Sequence, residues 1–340
     1  MAADDESAQP LWAAYFDEKA DVALPNGDVF RTYRAGTQGP HIVLLHGGGY
    51  TSMTWCLVTA LLKEQFIVHT IDFRGHGMTR TSNDADLSIG TLVQDVVDVI
   101  ETLIPPPSAD VTDQDKPQSV VIGHSLGGAV AVRVAATKKV TSLVGVMVID
   151  VVEGTAVASL AHMHGILDRR PARFKSYKDA IAWSLHSGTI RNPEAANVSI
   201  PSQLTELEDG SLTWRTDLKS SAEYWRDWFV GLSEQFLALP VAKILVLAGS
   251  DRLDTALVRG QMMGKFELRL LYGSGHVIQE DCPDQVAAAI QEFCARCART
   301  VSGAIYGGAA GATRQPSLAP PPANAILAAK LAKARGMIPH

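Results

Sequence analysis

The segment Val120-Val-Ile-Gly-His-Ser-Leu-Gly-Gly-Ala-Val-Ala-Val132 restricts what this chain can fold into more than any other stretch. A β-branched apolar run ends at Gly123-His-Ser-Leu-Gly127, and Ala and Val then continue in a helical pattern. The chain therefore passes from strand to helix through a turn so tight that its central residue needs strained backbone angles. Small residues two before and two after the centre remove the clashes that larger side chains would create. This geometry lifts the Ser125 hydroxyl above a sheet, at the N-terminal end of the helix, where a nucleophile belongs. The five-residue pattern alone occurs by chance; its weight here comes from the strand before it and the helix after it.

Short apolar runs alternate with longer helical patterns along the chain. The runs are His41–Leu45, Phe66–Ile71, Ser119–Ile122, Leu143–Ile149, Ala242–Ala248 and Glu267–Leu271. Each is nearly continuous in apolar residues, as expected where helices cover both faces of a mostly parallel α/β sheet. The alternation stops between Asp150 and Ala242, where helical patterns carry Trp183, Trp214, Trp225 and Trp228. A helical cap over about 153–240, inserted over the end of the sheet, is the expected organisation. Residues 1–11 read as a loose leader and 12–300 as the globular domain. The stretch 301–340 is rich in Gly, Ala and Pro and reads as a linker-like tail. It holds Arg314, Lys330, Lys333 and Arg335 and no acid.

Composition removes several function classes. A hydrophobic fraction of 46% with 19% charged residues excludes wholesale disorder. The net charge of −6 argues against nucleic acid, whose phosphates need clustered Lys and Arg. No apolar run approaches the ~18 residues of a membrane-spanning helix. The acidic start Met1–Ser7 is neither a secretory signal nor a transit peptide, so a cytoplasmic protein, also nuclear, is expected. Cys294 and Cys297 form one C-x-x-C inside a helical pattern, Val286–Ala298, with no second pair to complete a metal site. No metal and no cofactor are expected.

Two further segments complete a constellation. His46-Gly-Gly-Gly49 directly follows the strand Ile42–Leu45. Its glycines let peptide N–H groups approach a substrate oxygen, so Gly48 or Gly49 with the N–H of Leu126 would form an oxyanion hole. The base must be a late histidine, since chains with this turn run Ser, acid, His. Of ten histidines, His276 alone sits on a Gly-rich loop just after the last strand. His46, His76 and His124 read as local hydrogen-bonding groups. The acid is ambiguous: Asp150 ends the strand Val146–Ile149, and Asp251 follows Ile244–Ala248. Both satisfy the order, and pattern alone favours Asp251.

At this point the residues resemble the protein phosphatase methylesterases, a family of serine hydrolases within the alpha/beta-hydrolase superfamily. The particular matches are Ile149-Asp-Val-Val-Glu-Gly-Thr-Ala156, Ala180-Ile-Ala-Trp-Ser184 with Ser187-Gly-Thr-Ile-Arg-Asn192, Gly260-Gln-Met-Met-Gly-Lys-Phe266, and Gly275-His276 with Glu280-Asp281. Leu44–Gly49 and Ile122–Gly128 match as well but are shared by many hydrolases. The resemblance implies an alpha/beta-hydrolase fold and moves the choice of acid to Asp150, with Asp251 as the alternative. It implies an enzyme that removes the methyl ester from the C-terminal leucine of the protein phosphatase 2A catalytic subunit, and a monomer is expected. The animal relatives carry a long acidic insert in the cap, which here shrinks to Leu204–Ser211. The basic run Arg169, Arg170, Arg173, Lys175 and Lys178 would draw in an acidic peptide, and equally reads as a solvated helix face. Trp225 and Trp228 would wall a groove or serve as core, and Gln261 and Met262 would touch the phosphatase outside the acyl pocket. A general small-ester carboxylesterase and a non-catalytic receptor built on the same fold are the competing expectations.

Overall fold

The apolar runs pair into one sheet because each offers a hydrophobic side chain to both faces. In the computed structural model, which describes residues 12–107, 111, 116–249 and 253–305, the elements follow in chain order. They are β1 (Glu18–Ala23), β2 (Val29–Ala35), β3 (His41–Leu45), α1 (Cys56–Leu62), β4 (Ile67–Ile71), α2 (Ile89–Leu103), β5 (Ser119–His124), α3 (Leu126–Thr137) and β6 (Leu143–Ile149). Next come α4 (Glu153–Asp168), α5 (Tyr177–His186), α6 (Pro193–Ser202), β7 (Leu204–Glu206), β8 (Leu212–Trp214), α7 (Trp225–Phe229) and α8 (Leu232–Ala238). The chain then returns to the sheet with β9 (Ala242–Leu247), α9 (Thr255–Met262), β10 (Glu267–Leu270), α10 (Ile278–Asp281) and α11 (Pro283–Ile305).

Eight strands form the sheet in the order β1-β2-β4-β3-β5-β6-β9-β10. From β4 to β10 every pairing is parallel. The six apolar runs are these parallel strands. The two antiparallel strands β1 and β2 at the edge were not legible as runs. β1 is exposed except at Val22 and, in part, Ala20, as a solvated edge strand requires, and β2 interleaves its buried positions with Arg31 and Arg34, so neither writes a continuous apolar run.

Period-two alternation divides the core between two helical layers. Ile42, Leu44, Ile122 and Met147 pack with Trp55, Val58, Val286, Ile290 and Phe293 of α1, α11 and the turn before α1. Val43, Leu45, Val121 and Val146 face Val96, Ile100, Val130 and Val134 of α2 and α3. Cys294 and Cys297 are buried in the first layer, where burial pushes their thiols up to about 12 and about 11. α11 continues to Ile305, past the residue at which composition turns Gly- and Ala-rich. Residues 1–11 and 306–340, which hold the leader and most of the tail, lie outside the described residues.

The long connection from β6 to β9 holds α4 through α8 and carries its own small core of Phe174, Ala180, Ile190, Leu204 and Leu212, with Trp183 and Trp214 beside it. A two-stranded hairpin, β7–β8, interrupts the otherwise helical pattern there.

Candidate active site

The strand-to-helix turn has the strain its sequence demands. Ser125 adopts φ 52 and ψ −119 between β5 and α3, a region that side-chain-bearing residues rarely enter. A β-carbon on Gly123 would lie 2.0 Å from the Gly127 carbonyl oxygen, and one on Gly127 would lie 2.4 Å from that of Leu45. Only glycine fits at either position, so the hydroxyl is presented above β5 with the backbone packed tightly beneath it.

Asp150, directly after β6, also holds a positive φ, of 53. Its N–H donates to Val246 O at 2.8 Å, continuing the β6–β9 pairing by one residue. Its carboxylate is fully buried and is held at both oxygens. Oδ1 accepts from Ala248 N at 3.2 Å, and Oδ2 accepts from His276 Nδ1 at 2.8 Å. His276, on the loop between β10 and α10, keeps about half of its side chain exposed. With Ser125 it lines one cavity of about 840 Å³ above the parallel strands. Asp251, the alternative acid, lies outside the described residues.

Histidines near the turn act as fixed struts. His124 Nε2 donates to the His276 carbonyl at 2.8 Å, and the two rings lie 4.7 Å apart. His46 Nε2 accepts from Phe73 N at 3.0 Å, so its Nδ1 carries the proton that goes to Gly47 O at 2.8 Å. Burial holds His46 down to about 4, and burial helped by neighbouring imidazoles holds His76 and His124 down to about 3. All three remain neutral at physiological pH, with tautomers fixed by these partners.

The glycine loop differs from expectation at one atom. The N–H of Gly49 donates to His76 Nε2 at 2.9 Å and is not available to a substrate. Gly49 (φ 79) instead occupies the left-handed position of a turn closed by Tyr50 N to Gly47 O. Gly48 and Leu126 both line the cavity, and among the described residues their N–H groups have no protein acceptor. Of the expected donors, the N–H groups of Gly48 and Leu126 are thus the two left open to a ligand in the cavity.

The other candidates separate. Arg169 and Arg170 line the cavity, while Arg173 lies outside it and pairs with Asp209 at 2.7 Å on the surface. Trp225 and Trp228 are at once buried and cavity-lining, so the groove and core readings hold together. Gln261 and Met262 are not among the lining residues. They sit at the exposed end of α9, where Met262 is 80% exposed. The same motif's Gly260 faces Leu237 and its Phe266 packs on Phe236, so part of its pattern is packing.

Sequence reasoning missed Asp281. Its carboxylate accepts from Gly275 N and from Arg191 N, both at 2.7 Å, tying the His276 loop to the cap. Asn192 Nδ2 adds a bond to Glu280 O at 2.9 Å. The signal was present in two separately matched motifs, Ser187–Asn192 and Glu280-Asp281, which only the fold brings together. Tyr50 and Leu218 also line the cavity without carrying any sequence signature, and Trp183 and Trp214, which the sequence placed in the cap but not at the site, line it too. Among the described residues, no His, Cys, Asp and Glu side chains gather into a metal-ligating group.

A strained serine above a parallel sheet, lining one cavity with a histidine held by a buried aspartate, defines an alpha/beta hydrolase. A model of the Alpha/beta hydrolase family matches residues 42–289. The fold is similar to that of E-2-(acetamidomethylene)succinate hydrolase, with TM-score 0.66 at 19% identity over 82% of this chain and 99% of the other. It is also similar to the thioesterase domain from the curacin biosynthetic pathway, with TM-score 0.61 at 19% identity over 81% and 98%. Sequence resolves the subfamily. Protein phosphatase methylesterase 1 of Mus musculus is 39% identical over 84% of this chain and 84% of its own length. That of Schizosaccharomyces pombe is 36% identical over 85% and 86%. The chain belongs to the protein phosphatase methylesterase family and is an esterase.

Proposed function

We propose that this esterase removes the methyl ester from the C-terminal leucine of the protein phosphatase 2A catalytic subunit, with Ser125 as nucleophile, His276 as general base and Asp150 as its orienting acid. One observation carries the assignment: the 2.8 Å bond from His276 Nδ1 to the buried Asp150 carboxylate, both residues in the wall of the cavity that Ser125 also lines. With Nδ1–H committed to Asp150, Nε2 is left as the acceptor for the Ser125 proton, on a ring that lines the same cavity as Ser125. The alkoxide attacks the ester carbonyl, and the developing oxyanion is met by the N–H groups of Gly48 and Leu126. Each such donor is worth roughly 10²–10³ in rate. His276 then returns the proton to the departing methoxide, whose protonation matters because it is a poor leaving group. Water repeats the sequence on the acyl-enzyme and frees the carboxylate.

The cavity supports a protein-derived substrate. Its 840 Å³ lies toward the upper end of ligand-pocket volumes, well beyond what a leucine methyl ester occupies. Most of its wall comes from the β6–β9 connection rather than from the sheet. The test compares methyl release from intact methylated phosphatase with hydrolysis of a panel of short-chain neutral esters. The expected kcat/KM for the phosphatase exceeds that for a short methyl-ester peptide by at least ~10², because remote contacts supply binding energy that one residue cannot. Equal rates on both would make it a general carboxylesterase, and no reaction of Ser125 with a fluorophosphonate probe would make it a receptor.

A further inference from the structure

Among the described residues, most arginines whose side chains are buried or half-buried are engaged by an acid or a carbonyl. Arg74 is held by Asp95 and Asp28, Arg31 by Asp21, and Arg269 by Glu292 and Glu267. Arg133 and Arg215 donate to carbonyl oxygens. Arg170, at the end of α4, is different. Among the described residues its guanidinium has no hydrogen-bond acceptor and no ion-pair partner. It lies 3.7 Å over the ring of Trp214, whose Nε1 is itself fixed to Pro171 O at 2.8 Å. Burial lowers the pKa of Arg170, as expected of a cation that has lost water without gaining an anion.

Its position gives this vacancy a direction. Arg170 lines the cavity, and its Nη1 lies 3.9 Å from where a β-carbon on Gly49 would stand, beside the loop that presents the N–H of Gly48. Asp150, the one described carboxylate among the lining residues, already holds His276. A planar guanidinium stacked on an indole keeps its fork of donors free at the edge, in the geometry that takes a carboxylate with two parallel bonds. The ester that reacts in this cavity is neutral. Hydrolysis of the acyl-enzyme adds water across the acyl–Ser125 bond, returns the hydroxyl hydrogen to Ser125 and leaves a carboxylic acid, which loses its proton and acquires a charge at this place.

We infer that Arg170 forms a carboxylate subsite in the wall of the acyl pocket, a reading that rests on the cavity being where the peptide ester is hydrolysed. Arg170 is thereby a specificity-determining residue and is distinct in role from Arg173, whose charge Asp209 already meets. The carboxylate comes either from the newly formed C-terminus, so that the enzyme holds its product, or from an acidic side chain a few residues upstream in the substrate. Both are the same chemistry, and the experiment separates them.

Binding of short leucine-ended peptides to the wild-type protein is measured by titration calorimetry, in two matched pairs. One pair compares the C-terminal free acid with the carboxamide. The other compares glutamate with glutamine upstream, both ending in carboxamide. At least one charged member is expected to bind about tenfold or more tighter than its neutral twin, the range of a charge-assisted hydrogen bond. In Arg170→Gln that ratio is expected to fall below twofold, and in Arg170→Lys, which keeps the charge but not the fork, to fall between. The pair that responds names the source. Ratios below twofold in both wild-type pairs, or ratios unchanged in Arg170→Gln, overturn the inference. The wild-type comparison stands even if a variant does not fold. Turnover of the corresponding methyl-ester peptide is read separately. Its absence would overturn the proposed function, whereas a missing acid preference with turnover intact overturns only the subsite.

Discussion

Replacing Asp150 by Asn tests the site at its most constrained atom. The substitution is nearly isosteric, and Asn tolerates the left-handed backbone that Asp150 adopts at φ 53, so the fold should survive. The two oxygens of Asp150 have different partners: Oδ1 accepts from Ala248 N at 3.2 Å, and Oδ2 accepts from His276 Nδ1 at 2.8 Å. An asparagine must turn its one carbonyl oxygen toward one of them. With the oxygen toward the Ala248 N–H, its NH₂ faces Nδ1, which must then accept a hydrogen bond. The imidazole proton moves to Nε2, and His276 can no longer take the proton of Ser125. The opposite orientation sets the NH₂ against the Ala248 N–H inside a fully buried pocket, where an unpaired donor costs about 1–3 kcal/mol. The first orientation therefore prevails. The expected loss in kcat is roughly 10⁴, as for the equivalent change in serine proteases, or about 5 kcal/mol of transition-state stabilisation. Steady-state hydrolysis of a methyl-ester peptide measures it, with near-UV circular dichroism as the folding control. Asp251→Asn, assayed in parallel, should lower kcat by less than tenfold. A folded Asp150→Asn enzyme retaining more than about one per cent of kcat would refute the reasoning, as would a larger loss from Asp251→Asn.

Ser125→Ala should reduce kcat by about 10⁶ and abolish fluorophosphonate labelling while leaving the melting temperature near wild type; more than a few per cent residual turnover would remove Ser125 from its role. Gly123→Ala should prevent folding, because the new β-carbon would lie 2.0 Å from a backbone oxygen that has no room to retreat, and a soluble variant with wild-type urea midpoint would contradict that packing. Stability should fall on mild acidification. Burial holds His46 at about 4 and His69, His76 and His124 at about 3, so below pH 6.5 the unfolded chain takes up protons that the folded chain refuses. Between pH 6.5 and 5.5 each costs about 1 kcal/mol. Glu280, raised by burial to about 8, works oppositely and offsets about one of them, leaving a net loss of ~3 kcal/mol that urea titrations at the two pH values would detect. A midpoint that rises toward pH 5.5 would show that these rings are not neutral in the folded state.

Local backbone demands are legible in one sequence. Gly123 and Gly127 flank Ser125 because a turn of that radius excludes any β-carbon, and this requirement operates within five residues of chain. The parallel strands are legible for a similar reason, since burial on both faces writes a continuous apolar run. The antiparallel strands β1 and β2 are not, because charged residues interrupt both and leave no continuous apolar run. Asp150 and Asp251 each follow a strand in the required order; pattern alone favours Asp251, and only the family resemblance moves the choice to Asp150. What no spacing encodes is the contact itself: β6 pairs with β9 so that Ile149 lies opposite Val246, and the Asp150 carboxylate meets His276, 126 positions away. The same holds for the N–H of Gly49, lost to His76 27 residues on, and for the separation of Arg170 from Arg173. A donor's partner or a cation's counter-ion is decided by contacts between distant segments, and no spacing along the chain encodes them.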